Sequence, residues 1–262
     1  MEKRTNWIIG ILTVLITFMD ITGIPCAFFL NIQIKDIEPI YWTLMANFIL
    51  IGIIAWAVLR FFCPDFRLGL QKKGFGCGFR KYGLWGTAAA VTGFFAFYIG
   101  LSPLEAHPSL AKVLIEGVIY YVGVAMVEEL YVRGLLLNLL ERLLKKHSSP
   151  TFWAVILSSL IFGLGHIPAT LGMPIPVTIA KALWTVGMGI YLGMIYKKSG
   201  NLWFPIVIHF LINVCAIPYC FSTFKGYPNI TLVIETAAYV LLGIYSFIQL
   251  LPGVHKKHHA SC

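Results

Sequence analysis

The chain has 262 residues, 58% of them hydrophobic and only 12% charged, with a mean hydropathy of +0.81. A soluble domain carries roughly 25% charged residues, so a soluble globular fold is excluded. The formal net charge of +9 would suit a nucleic-acid partner, but the distribution of the basic residues excludes that reading.

Apolar runs long enough to cross a hydrocarbon core, about 20 residues of helix each, cover residues 7–30, 40–62, 83–101, 112–140, 151–171, 176–196, 203–220 and 230–251. They are continuous, not alternating, which favours helices over a barrel. The prediction is an all-α, polytopic membrane helix bundle with eight transmembrane helices, one integral membrane domain over 1–262. The Lys and Arg residues fall in alternate loops. One side holds Lys3, Arg4, Arg60, Arg67, Lys72, Lys73, Arg80, Lys81, Arg142, Lys145, Lys146, Lys197, Lys198, Lys256 and Lys257, and the other only Lys35, Lys112 and Lys225. Fifteen against three predicts that both termini are cytoplasmic.

The first span starts like a signal peptide, but its apolar part is too long for one, so it is expected to remain as a span. After the second span comes "CPDFRLGLQKKGFGCGFRKYG", basic, glycine-rich and aromatic. It lacks the strand-to-helix setting of a phosphate loop and is expected to be a flexible segment on the anionic inner leaflet. Membrane lipids are therefore expected partners. The C-terminal "HKKHHASC" is expected to act as a similar anchor.

The fourth span contains "VAMVEELYVRG". A charge at mid-bilayer costs about 2.5–3.5 kcal/mol even on the lenient insertion scale, so each needs a partner or a purpose. At about 100° per residue Glu129 and Arg133 share one stripe in the favourable acid-first i,i+4 order. Glu128 is rotated away and faces something else. The fifth span ends in "FGLGH", with Phe162 one turn before His166 and with Gly163 and Gly165 leaving room beside the imidazole. In the sixth, Gly189 and Gly193 have small-xxx-small spacing, which predicts close helix packing. The seventh carries "HFLIN", placing His209 and Asn213 on one face. Asp20 and Glu235 are expected to have packing or interfacial roles.

A lone intramembrane His or Asn is often only a helix-to-helix contact, and a lone Glu–Arg pair often only fixes packing. Three such sites in one chain point to a water-filled functional cavity. Desolvation makes a carboxylate a better base, so Glu128 is the candidate to take a proton from water and return it to a leaving amine. His166 would orient that water, and His209 and Asn213 would donate to a developing oxyanion. There is no G-x-S-x-G nucleophile motif. No cofactor is called for, although two His and a Glu are also a zinc ligand set. The H-E-x-x-H signature is absent, and the sequence neither demands nor excludes a metal.

In order, Glu128, Glu129 and Arg133 match EExxxR, Phe162 and His166 match FxxxH, and His209 and Asn213 match HxxxN. Together they resemble the CPBP intramembrane proteases, the superfamily of the CAAX prenyl endopeptidase and the bacterial Abi proteins. The match runs from Glu128 to Asn213 within a motif-bearing core over 112–220. The resemblance implies a glutamate-dependent intramembrane endopeptidase in which Glu128 and His166 activate water, His209 and Asn213 form the oxyanion site, and Glu129, Arg133 and Phe162 support them. It also implies a membrane-associated peptide or protein substrate, lipidated or not. The compact length favours a prokaryotic cell membrane. A non-catalytic scaffold or bacteriocin-immunity protein of the same fold is the alternative, and a proton-coupled transporter is a distant third.

Overall fold

The computed structural model describes residues 2–22, 34–101, 108–221 and 227–252. The end of the first expected span, Lys225 and the "HKKHHASC" tail lie outside the described residues. Helix accounts for 82% of the structure, with no strand among the described residues. The helices are α1 (Glu2–Thr22), α2 (Pro39–Phe62), α3 (Phe75–Gly100), α4 (Leu110–Leu143), α5 (Pro150–Gly165), α6 (Ile175–Ser199), α7 (Trp203–Cys215) and α8 (Asn229–Leu250). Six are long and apolar enough to cross a membrane: α2, α3, α4, α5 with the short turn that carries it to Thr170, α6 and α8. The seventh predicted span, 203–220, is instead the 13-residue α7 followed by a separate turn at Ile217–Cys220.

Local chemistry fixes the ends. Proline, whose missing N–H costs nothing in a first turn, opens α2 at Pro39, α5 at Pro150 and α6 at Pro176. The Ser109 hydroxyl accepts from the Lys112 N–H at the start of α4, a side-chain N-cap. Within α4 the backbone widens to π-type turns at Val113–Ile119 and again at Leu130–Leu137. Such turns recur at functional sites, and the second contains Arg133.

α6 is the central helix, with Tyr191, Leu192, Met194 and Ile195 fully buried. Glycines let its neighbours approach. Gly187 faces Gly243 of α8, where an added Cβ would meet the Gly187 Cα at 2.8 Å. Gly189 and Gly193 lie against Ser159 and Val155 of α5. By contrast, Phe61, Leu84, Ile175 and Val233 are exposed, an apolar exterior suited to lipid.

The basic glycine-rich connection, expected to be a flexible segment, is tied to the turn before α7. The Leu202 N–H donates to Gly69 O at 2.9 Å. The Asn201 side-chain amide donates to Gln71 O and to Lys73 O, and the Tyr196 hydroxyl donates to Leu68 O. Gly69 and Gly74 adopt φ of 77° and 88°, a left-handed conformation that a side chain resists. Both press on the backbone of Ser199–Gly200. These hydrogen bonds hold the loop and position the start of α7.

Candidate active site

Glu128 and Glu129 sit near the middle of α4 and point to different partners. Glu129 is fully buried, and its Oε1 accepts from Arg133 Nη1 at 2.8 Å. The same oxygen lies 2.8 Å from His209 Nδ1 on α7. Since a carboxylate can only accept, the imidazole carries its proton on Nδ1. Nε2 is thereby turned towards Glu128, whose Oε2 lies 3.6 Å away. The local half of this arrangement follows from i,i+4 spacing. The half that crosses to α7 has no sequence signal, because spacing along a helix does not say which helix faces it.

Arg133 is held on three sides. Besides Glu129 it donates from Nη2 to Gly189 O at 3.3 Å, and its Cζ lies 4.6 Å above the Phe162 ring. That ring also meets both histidines edge to face, with centroids 4.8 Å from His166 and 6.2 Å from His209. His166 caps the end of α5. Its Nδ1 donates to Phe162 O at 2.9 Å, which leaves Nε2 of the neutral ring to accept from water.

Glu128, His166, His209 and Asn213 all line one cavity of about 230 Å³. A second cavity, of about 420 Å³, adjoins it on the other side of Glu128 and His166 and is walled by Phe162, Tyr131 and Asp20. Glu128 and His166 thus border both spaces, whereas His209 and Asn213 border only the first. With 13% of its side chain exposed, Glu128 is the acid of the doublet that reaches the cavities. Among the described residues no three His, Cys, Asp or Glu side chains group as a metal site would need.

Residues 110–215 match the model of the family described as type II CAAX prenyl endopeptidase Rce1-like. The six apolar helices make the chain a multi-pass integral membrane protein, and this stretch of it is similar to CAAX protease-like proteins. The matched stretch runs from the start of α4 to the end of α7 and contains every motif residue from Glu128 to Asn213. No curated protein matches the chain.

Glu116 and Lys181 belong to no motif, and Asp20 and Glu235 are expected from the sequence only to pack or to sit at the interface. Glu116, buried in the matched stretch, accepts from the Glu38 N–H at 3.1 Å at the start of α2 and pairs with Lys112 at 3.6 Å. Lys181, on α6, lines the first cavity together with Glu235. Asp20 accepts from the Tyr131 hydroxyl at 3.0 Å. It joins the second cavity, so it has a place beside the candidate site in addition to a packing role.

Proposed function

We propose that the protein is a glutamate-dependent intramembrane endopeptidase. The observation that carries this reading is the convergence of Glu128, His166, His209 and Asn213, from three helices, on one cavity. Glu128 takes a proton from a water whose position is shared with His166 Nε2, and the water oxygen attacks the scissile carbonyl. The tetrahedral oxyanion accepts from the Asn213 side-chain amide and from His209. Because His209 already donates through Nδ1 to Glu129, donation through Nε2 requires the ring protonated on both nitrogens. Glu128 then returns its proton to the leaving amine. Water supplies both the hydroxyl of the new acid and the proton of the new amine, so no covalent intermediate is needed.

In this reading the whole chain is one membrane domain, with 112–220 as its catalytic core and Glu129, Arg133 and Phe162 supporting the site. The bundle passes eight times, α1 and the short α7 completing the six long apolar helices, and both termini face the cytoplasm. The substrate is a membrane-associated peptide or protein. The chemistry is carried by side chains without a metal.

The test compares wild type with Glu128→Gln in detergent, each with and without chelator, on prenylated and unmodified peptides. The expected result is chelator-resistant cleavage that is lost in the variant. Equal cleavage by both proteins removes Glu128 as the base, and cleavage abolished by chelator removes the metal-free mechanism. Failure of wild type to cut any peptide favours a scaffold.

A further inference from the structure

Two cavities away from the motif residues meet on the surface of the bundle. The first, of about 220 Å³, lies between α2, α4 and α7 and is lined only by apolar and aromatic side chains and by Gly52. Leu130 and Ile206, both buried, stand on its inner side, and the exposed Ile53, Trp56 and Leu70 mark its mouth. The second, of about 240 Å³, lies at the loop end of α2 and shares Trp56 and Leu70 with the first. There the lining changes character, because Arg60 and Arg67 enter it and no Asp or Glu does.

Neither guanidinium has a carboxylate within 4.0 Å among the described residues, the neighbouring Asp65 included. A cation in the last turn of a helix is favoured by the helix dipole, which accounts for Arg60 at the end of α2 but not for Arg67 on the loop. Arg67 directly precedes the stretch that hydrogen bonds from Tyr196, Asn201 and Leu202 hold in place, so it is carried by a fixed backbone. An arginine fork matches phosphate oxygens with two parallel bonds. Trp56 and Trp203 stand at the junction, and indole rings favour the level between hydrocarbon and headgroups. A soluble anion would use the arginines and leave the apolar cavity bare, whereas a neutral chain would do the reverse. A molecule with an apolar chain and an anionic head satisfies both.

We propose that this composite groove binds one anionic phospholipid of the surrounding leaflet, with its phosphate on Arg60 and Arg67 and one acyl chain in the apolar cavity. Leu130 follows Glu129 in the sequence and Ile206 lies three residues before His209, so the bound chain braces the two helices that carry the Glu129–His209 contact.

The test uses the full chain, delipidated in a non-ionic detergent and titrated at low salt with phosphatidylglycerol or phosphatidylcholine carrying brominated acyl chains. Bromine quenches nearby indoles, so Trp56 and Trp203 report occupancy. Phosphatidylglycerol should bind roughly 25-fold more tightly, about fivefold for each arginine, and the advantage should shrink at high salt. Arg60→Gln with Arg67→Gln should bring phosphatidylglycerol down to the affinity of phosphatidylcholine; both arginines are exposed, so without lipid this variant should melt like wild type. Lys72→Gln with Lys73→Gln removes as much charge from the same loop but outside both cavities, and should keep the advantage. Gly52→Leu, whose Cβ would meet Leu130 only at 3.9 Å, fills the apolar part and should weaken both lipids alike. Equal binding of the two lipids would mean a groove for any apolar chain and would overturn the proposal. So would an equal loss in the lysine variant, which would mean diffuse attraction to a basic loop, or quenching that Gly52→Leu leaves intact, which would put the lipid elsewhere. None of these readouts involves cleavage, so the result stands whether or not the peptidase reading does.

Discussion

Replacing Glu129 by Leu probes the link between the buried ion pair and the candidate oxyanion site. It removes the carboxylate shared by Arg133 and His209 and strands a guanidinium that is 1% exposed and cannot shed its proton. What remains for Arg133 is the Gly189 carbonyl at 3.3 Å and the Phe162 face at 4.6 Å. Breaking a buried pair from one side costs about 3–5 kcal/mol. At roughly 2–4 °C per kcal/mol for a chain of this order of size, the melting temperature in detergent should fall by roughly 6–20 °C. The double variant Glu129→Leu with Arg133→Met removes both charges and should recover most of that loss, since a whole buried pair can be exchanged for apolar side chains at little cost. Activity should separate from stability. His209 lacks its Nδ1 acceptor in both proteins, so cleavage should remain about 10²–10³-fold down even in the well-folded double variant, the scale of a lost oxyanion donor. Circular dichroism melts and peptide cleavage on the same preparations read both quantities. Equal melting of the single and double variants would refute the electrostatic account. Wild-type cleavage by the double variant would refute the orientation of His209 by Glu129.

Other expectations are tested more simply. Asn138 donates to Arg133 O, Gly134 O and the Tyr196 hydroxyl and accepts from Lys197 Nζ at 2.7 Å; Asn138→Leu should cost about 1–3 kcal/mol through the polar groups it orphans, visible in the melt. Gly187→Ala should force α6 from α8 and destabilise by about 1–3 kcal/mol, whereas Gly76→Ala, with open space around it, should melt like wild type. The Glu2 carboxyl is held below its ordinary range by the hydrogen bond and charge of Lys145, 2.8 Å away. A depressed carboxyl pKa contributes above the unfolded value and is lost as pH falls through the folded one. This pair is solvent-exposed, so Lys145→Ala should leave the neutral-pH melting temperature unchanged; a clear drop would mean that the pair anchors α1.

The parts of the site that lie along one helix were legible in the sequence. The Glu129–Arg133 pair and the separate orientation of Glu128 follow from residue spacing, and the structure has both. Contacts between helices were not legible, because an apolar span looks much the same whichever neighbour it meets. Assigning Glu129 to Arg133 alone hid its second contact, to His209. Lys181 could have been found by subtraction. Of the 20 Lys and Arg residues, the loop tally accounts for eighteen and the EExxxR motif for Arg133, which leaves one further cation inside a span. The seventh span was overestimated because apolar residues continue past Cys215, while the chain turns at Ala216 and restarts as a short helical turn at Ile217. Hydropathy registers composition and not such a break.

The brevity of α7 bears on how the protein meets membranes of different thickness. Thirteen residues rise about 20 Å, too little for the helix to find its level by matching the hydrocarbon slab, as longer segments do by tilting. Its level is set instead by the bonds from Asn201 and Leu202 to the loop at Gly69–Lys73. His209 and Asn213 hang from that loop at a fixed drop. A thinner or thicker bilayer would then change how substrate arrives while leaving the spacing between His209 and Glu128 as it was.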